Sequence, residues 1–142
     1  MLKKLIITLL IALMSAFCAM PALAQVDLND EEAVMAALGK EPALTQTDID
    51  NFINHFPALN AAADADDDAA LFALAKEIGW SEIRTIYVPL KIGGAWALSE
   101  DPESAAIIQA LFPPEMMPNN DEIALVAQNK EKLAPLFEET AE

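Results

Sequence analysis

Cysteine is nearly absent from this sequence, since the 142 residues contain only Cys18. Cys18 lies in an apolar stretch that we assign to a removable leader, so the mature chain is predicted to have no thiol. Disulfides, thiolate metal sites and cysteine nucleophiles are then excluded. A lipid-modified Cys18 is not expected either, because bulky Phe17 precedes it where a lipoprotein peptidase needs a small side chain.

Histidine and serine are also scarce. His55 is the only histidine, which excludes any site built from two imidazoles. We assign it a structural role at a helix end, where a cationic imidazole complements the helix dipole. The serines of the mature chain occur in no Gly-x-Ser-x-Gly elbow, so a hydrolase triad is unsupported. The sequence therefore predicts a non-enzymatic protein with no catalytic residues and no cofactor.

Basic residues are few, with 8 Lys and Arg against 23 Asp and Glu. Without the two leader lysines, 6 basic and 23 acidic residues remain, a net charge of about −17. Such a charge repels nucleic acid and anionic lipid surfaces. A nucleic-acid function is therefore excluded, whereas basic partners and divalent cations remain compatible with the composition.

The first 24 residues have the three parts of a secretory signal peptide. Lysines at positions 3 and 4 precede an apolar run from Leu5 to Met20, and the small residues Ala22 and Ala24 precede polar Gln25. We predict cleavage between Ala24 and Gln25 and a periplasmic address reached through the general secretory route. The alternative is a retained anchor, which needs roughly 20 apolar residues and no cleavage site.

Apolar residues at helical spacing dominate residues 25–142. We predict one acidic all-α domain there, a small bundle of about five helices, in which residues 25–44 pack loosely. Asn29 or Asp30 is placed to cap the first helix, and Gly39 to stop it in a left-handed conformation. The residues predicted to be buried are Phe52, Phe56, Leu71, Ile86, Leu111 and Val126.

Capping residues and prolines set the expected bounds of the other helices. The sequence Thr45-Gln46-Thr47-Asp48 opens a helix that Pro57 ends or restarts. Ser81 caps a helix that runs with a kink to about Leu98, although a strand over residues 84–92 is the alternative. Asp101-Pro102-Glu103 opens the next helix, and a proline-rich connection follows it. Asn119 or Asn120 then caps one last helix with Ile123, Val126, Lys130, Leu133 and Phe137 at near-heptad spacing.

An acidic cluster is the only motif with a specific chemical alternative. Three aspartates stand at the first, third and fifth positions of an EF-hand-like loop: Asp64, Asp66 and Asp68. The loop lacks the glycine at its sixth position and the glutamate at its twelfth, which are Ala69 and Ala75. One interpretation is helix capping by a solvated cluster. The other is specific calcium binding, with a distant carboxylate such as Glu100 or Glu122 as the missing ligand.

The order of several segments resembles a loose group of small exported α-helical proteins of Gram-negative bacteria. The resemblance rests on the threonine–aspartate helix opening, Phe52-Ile53, Phe56-Pro57-Ala58-Leu59, the helix start near Trp80 and Ile123-Ala124-Leu125-Val126. It implies an all-helical fold and a periplasmic address. It supplies no activity, cofactor or site residue.

The function expected from the sequence is that of a non-enzymatic periplasmic binding or accessory protein. An apolar groove between helices, or the loop with Met116 and Met117, would hold a protein, a peptide or an apolar small ligand. Trp80, Tyr87 and Trp96 are expected in the core, with a pocket lining as the alternative. The alternative functions are a small periplasmic enzyme and a calcium-binding protein.

Overall fold

The structure is a computed structural model that describes residues 26–139. The predicted signal peptide, residues 1–24, and the tail after Glu139 lie outside the described residues. Within residues 26–139 the chain is entirely helical and contains no strand, which confirms the all-α class. The alternative strand over residues 84–92 is wrong, because these residues lie inside a helix. No helix in this described part is long and apolar enough to cross a membrane.

Seven α-helices and two short 3₁₀ turns make up residues 26–139. The turns are Pro102–Ser104 and Pro114–Met116. The number of helices exceeds the expected five or so, partly because the predicted last helix is divided at Asn129. The helices are α1 (Glu31–Gly39), α2 (Gln46–Asp64), α3 (Asp68–Glu77), α4 (Glu82–Glu100), α5 (Ala105–Leu111), α6 (Asn120–Gln128) and α7 (Lys130–Glu139).

Side-chain caps begin α1, α2, α4 and α6 where the sequence predicts them, whereas Asp101-Pro102-Glu103 opens a 3₁₀ turn and α5 follows it without a side-chain cap. Thr45 and Asp48 form a reciprocal capping box at the start of α2, and Asn119 does the same with Glu122 at the start of α6. The Ser81 hydroxyl accepts a hydrogen bond at 3.0 Å from the Arg84 backbone N–H and so begins α4. Asp30, rather than Asn29, caps α1.

Helix α2 continues through Pro57, so the expectation of a break there is wrong. Proline inside a helix costs about 3 kcal/mol through its missing N–H and its ring clash. The buried stripe of Phe52, Phe56, Leu59 and Ala62 keeps its helical spacing across the proline. Burial of each large apolar side chain contributes about 1.5–3 kcal/mol, so the continuous face outweighs the local defect.

Two glycines end or approach helices in different ways. Gly79 follows α3 with φ of +85°, the left-handed conformation that commonly ends a helix. Gly39 is the last residue of α1 and does not adopt a positive φ, so that prediction is wrong. An added Cβ at Gly39 would lie 3.3 Å from Cβ of Glu115. Gly39 therefore allows α1 to approach the turn Pro114–Met116.

Helix α4 is the centre of the bundle and packs most extensively against α6, with α1, α2 and α3 also in contact. Its residues Val88 and Ile92 are fully buried. A Cβ on Gly94 would lie 3.2 Å from Cγ of Pro118, so Gly94 allows α4 to approach the connection that precedes α6. The segment before α2 also joins this core through Leu28, Val34, Leu38 and Leu44.

Burial follows the predicted stripes except at α5 and near α7. Phe52, Phe56, Leu71, Ile86 and Val126 are buried as predicted. Leu111 is 39% exposed, so its prediction is wrong. Ile108 and Phe112 fill the core there instead, because α5 ends at Leu111 and the backbone of Phe112 is extended.

The chain turns between α6 and α7, which changes the register of the last predicted stripe. Asn129 is buried and its Nδ2 donates to Oε1 of Gln46 at 3.0 Å and to the Leu125 carbonyl at 2.9 Å. Lys130, which the sequence places in the near-heptad series, is exposed and pairs with Glu100. Asn129, one residue earlier, is the buried polar residue at this turn, and its side chain has hydrogen-bond partners.

Candidate functional site

One face of α4 carries three buried polar side chains in the middle of the apolar core. Arg84, Tyr87 and Lys91 are spaced i, i+3 and i+7, so they share one side of the helix. Two carboxylates reach them from α2 and α6. We call this set the buried ionic network; it consists of Asp48, Arg84, Tyr87, Lys91 and Glu122.

Arg84 joins α4 to the loop between α1 and α2. Its guanidinium donates to the Asp48 carboxylate and to the backbone carbonyls of Pro42 and Ala43. It also lies 3.3 Å from Oε2 of Glu41. The planar, multiply donating guanidinium suits this geometry, because one group engages two carboxylates and two carbonyls at once.

The Asp48 carboxylate is charged in this environment. Burial opposes its ionisation, but hydrogen bonds from Arg84 and Thr45 outweigh burial and hold the pKa of Asp48 below its usual range. Burial likewise disfavours the charged form of Arg84, and Asp48 more than compensates, so the pKa of Arg84 is raised. Arg84 and Asp48 therefore form a buried ion pair.

Glu122 accepts four hydrogen bonds from different parts of the chain. Its Oε1 accepts from the Leu44 backbone N–H at 3.1 Å and from the Tyr87 hydroxyl at 3.0 Å. Its Oε2 accepts from Nζ of Lys91 at 3.1 Å and from the Asn119 backbone N–H at 3.0 Å. A carboxylate with four donors has its acceptor capacity filled.

The four donors also decide the protonation states around Glu122. Burial opposes ionisation of Glu122, yet the backbone hydrogen bonds and Lys91 hold its pKa below the usual range. Burial and then the negative charge of Glu122 raise the pKa of Tyr87, which stays a neutral donor. Lys91 also donates to the Met117 carbonyl at 3.0 Å, which ties the proline-rich connection to α4.

The groups of this network bind one another and hold neighbouring helices together. Glu122 is only 1% exposed, and its oxygens are already engaged by protein groups. A general acid or base must instead reach a proton of the substrate. The network joins the α1–α2 loop, α4 and the start of α6, and loss of one partner would leave an unpaired buried charge.

The acidic cluster lies at the junction of α2 and α3, and its aspartates make different local contacts. Asp64 ends α2 and accepts from Nδ2 of Asn60 at 3.1 Å. Asp66 is in the left-handed region with φ of +51°. The side chain that caps α3 is Asp67, which accepts from the Ala70 N–H at 3.0 Å. Partial burial, then Asp66 and Asp67, raise the pKa of Asp68.

The distant carboxylates considered for a calcium site are engaged elsewhere. Glu122 belongs to the buried ionic network, and Glu100 pairs with Lys130. Across residues 26–139, no group of three or more His, Cys, Asp or Glu side chains is placed to hold a metal ion. The structure therefore separates the two proposed closing ligands from the cluster at Asp64, Asp66 and Asp68.

The other residues considered from the sequence lie inside a helix or in the core. His55 lies inside α2, well before its end at Asp64, so its assignment to a helix end is wrong. Met116 is 1% exposed and belongs to the core, which removes it as a contact surface. Trp80, Tyr87 and Trp96 are buried, as expected for core aromatics, and Trp96 stacks on Phe137 with ring centroids 4.8 Å apart.

The outward side of α5 carries an exposed large aliphatic side chain. Leu111 is the one exposed large hydrophobic side chain of residues 26–139, and half-buried Ile107 precedes it by one helical turn. α5 is also the only described α-helix without a charged side chain. We call this surface the α5 face; it comprises Ala106, Ile107, Gln109, Ala110 and Leu111.

Comparison with protein-family models, curated proteins and solved structures finds no match to the chain. The function is therefore inferred from the chemistry of the buried ionic network and of the α5 face.

Proposed function

We propose that this chain is an exported, non-enzymatic accessory protein that binds a protein partner through the α5 face. The observation that carries the proposal is the exposure of Leu111 on an uncharged helix of a strongly acidic chain. Apolar surface bordered by polar residues is one feature of interaction sites, and here it consists of Leu111 with Ile107 and the alanines of the α5 face. The proposal moves the contact surface from the methionine loop to α5, because Met116 is buried.

The connections on both sides of α5 support a preorganised surface. Before α5, Asp101 accepts from the Glu103 N–H at 2.9 Å and fixes the turn that follows α4. After α5, the Met117 carbonyl accepts from Lys91, and Pro118 lies against Gly94 of α4. A surface that is already ordered loses little conformational entropy on binding, which favours affinity.

Site-specific photo-crosslinking in cells tests the proposed binding function. A benzophenone side chain at exposed Gln109 should give a discrete adduct with one protein, whereas the same group at exposed Glu131 of α7 should not. The adduct should disappear when Leu111→Ser is added to the Gln109 variant, because the serine removes the apolar contact. Equal adducts at both positions, or an adduct unchanged by Leu111→Ser, would contradict the proposal.

Export is tested on the same cells by the intact mass of the protein recovered from the periplasm. A chain that begins at Gln25 agrees with the proposed leader. A chain that retains Met1, or that carries lipid on Cys18, contradicts it.

A further inference from the structure

Exposed acidic residues lie on both sides of α5 along the chain. Exposed Glu103 precedes Ile107 by four residues, and exposed Glu115 follows Leu111 by four residues. No lysine, arginine or histidine occurs between Lys91, which is buried with Glu122, and Lys130. Along the chain, α5 therefore lies between two exposed acidic residues, and this stretch has no basic residue to neutralise them.

We propose that the partner's docking element is an amphipathic helix whose apolar side chains are flanked by lysine or arginine. This inference rests on the proposed binding function and specifies the chemistry of the partner. Apolar residues of such a helix would cover Leu111 and Ile107, while its cations would lie near Glu103 and Glu115. Complementary charge around an apolar centre accelerates encounter and selects the partner.

The charge of the whole chain favours this occupant over a second copy of the protein. The net charge is −15 for the whole sequence and about −17 without the predicted leader, so the protein attracts a basic segment and repels another acidic chain. A symmetric dimer through α5 would also place the acidic borders of both copies in one interface, and like charges placed together there oppose binding.

The dimensions of α5 suit a short helical contact. Seven residues give a length of about 10 Å, or two turns. Two turns of a partner helix present apolar side chains at i, i+3 or i+4, and i+7, which is the usual form of helix recognition. Leu111 would be the central contact and the two glutamates would form its polar border.

The probe is a fluorescent 14-residue helical peptide of leucine and lysine, titrated into the purified protein at about 0.15 M salt. At this ionic strength the screening length is about 8 Å, so only charges near the bound peptide contribute strongly. We expect saturable one-to-one binding. Leu111→Ser should weaken it about tenfold, as for a central interface residue.

The border charges are tested with two double variants of equal charge. Glu103→Gln with Glu115→Gln should weaken binding about fivefold, since two nearby charge contacts are lost. The control, Glu131→Gln with Glu138→Gln on α7, should change it less than about twofold. All four side chains are exposed and glutamine preserves their shape, so the fold is retained in both variants.

The outcomes separate the partner's chemistry from the binding function. If Leu111→Ser weakens binding but both double variants behave alike, the proposal of lysine or arginine in the partner is overturned, while binding through α5 stands. Dimerisation that depends on Leu111, measured by sedimentation, would also contradict the proposal of a basic partner helix. If Leu111→Ser has no effect and Gln109 gives no crosslink in cells, both the partner assignment and the proposed function fail.

Discussion

The buried Glu122 carboxylate accepts hydrogen bonds from three separate parts of the chain. Its replacement should therefore lower the free energy of unfolding. Glu122→Gln leaves Lys91 buried without its counter-charge, and unpaired buried charges of this kind cost about 3–5 kcal/mol. We expect the free energy of unfolding, from urea titration at pH 7, to fall by about that amount. The exposed control Glu131→Gln should change it by less than about 0.5 kcal/mol.

The same comparison has a defined pH dependence. Because the folded-state pKa of Glu122 is lowered, its stabilisation is present above the unfolded value of about 4.3 and is lost as pH falls through the folded value. The difference between wild type and Glu122→Gln should therefore shrink in acid below about pH 4. A difference that is below 1 kcal/mol at pH 7, or constant down to pH 2, would show that Glu122 is not held as a buried anion.

Capping could be predicted residue by residue, whereas the ionic network could not. Thr45 and Ser81 cap through backbone groups three residues away, so their local sequence is sufficient. Arg84 and Lys91 stand seven residues apart in an apolar helix, which is a visible signal of a shared polar face. Their partners lie 36 and 31 residues away, and the sequence offers 23 acidic candidates.

Helix α5 exposes one large aliphatic residue and buries another, and the two should respond differently to truncation. Ile108 is 1% exposed, so Ile108→Ala should lower the free energy of unfolding by about 2–5 kcal/mol. Leu111→Ala should lower it by less than about 1 kcal/mol, because its side chain already contacts solvent. Urea titrations of the two variants measure the difference. Equal losses would show that Leu111 is part of the core and would remove the α5 face.

Where a helix begins or ends depends on whether local propensity or tertiary contacts contribute the larger energy. Sequence patterns alone were insufficient to predict these boundaries. The proline rule suggested a break at Pro57, but the apolar stripe continues on both sides and keeps α2 intact. Near-heptad spacing suggested one helix across Asn129, but Asn129 makes buried hydrogen bonds to Gln46 and Leu125 at a turn. Both outcomes are set by tertiary partners, which local propensity does not contain.

At the scale of the molecule, its polar groups divide into two classes. The buried pairs of Arg84 with Asp48 and of Lys91 with Glu122 join the segments around α4. The exposed acids give the surface its charge and leave α5 as its uncharged part. The all-α class followed from helical spacing alone, but the position of the α5 face required the three-dimensional packing of Ile108 and Phe112.

Amide shift mapping locates the proposed binding at the α5 face residue by residue. The ¹⁵N-labelled protein would be titrated with the leucine–lysine peptide at about 0.15 M salt. We predict saturable shifts concentrated in residues 103–115, with a stoichiometry of one peptide per chain. Shifts of equal size at the acidic cluster of residues 64–68, or no shifts in α5, would contradict the claim.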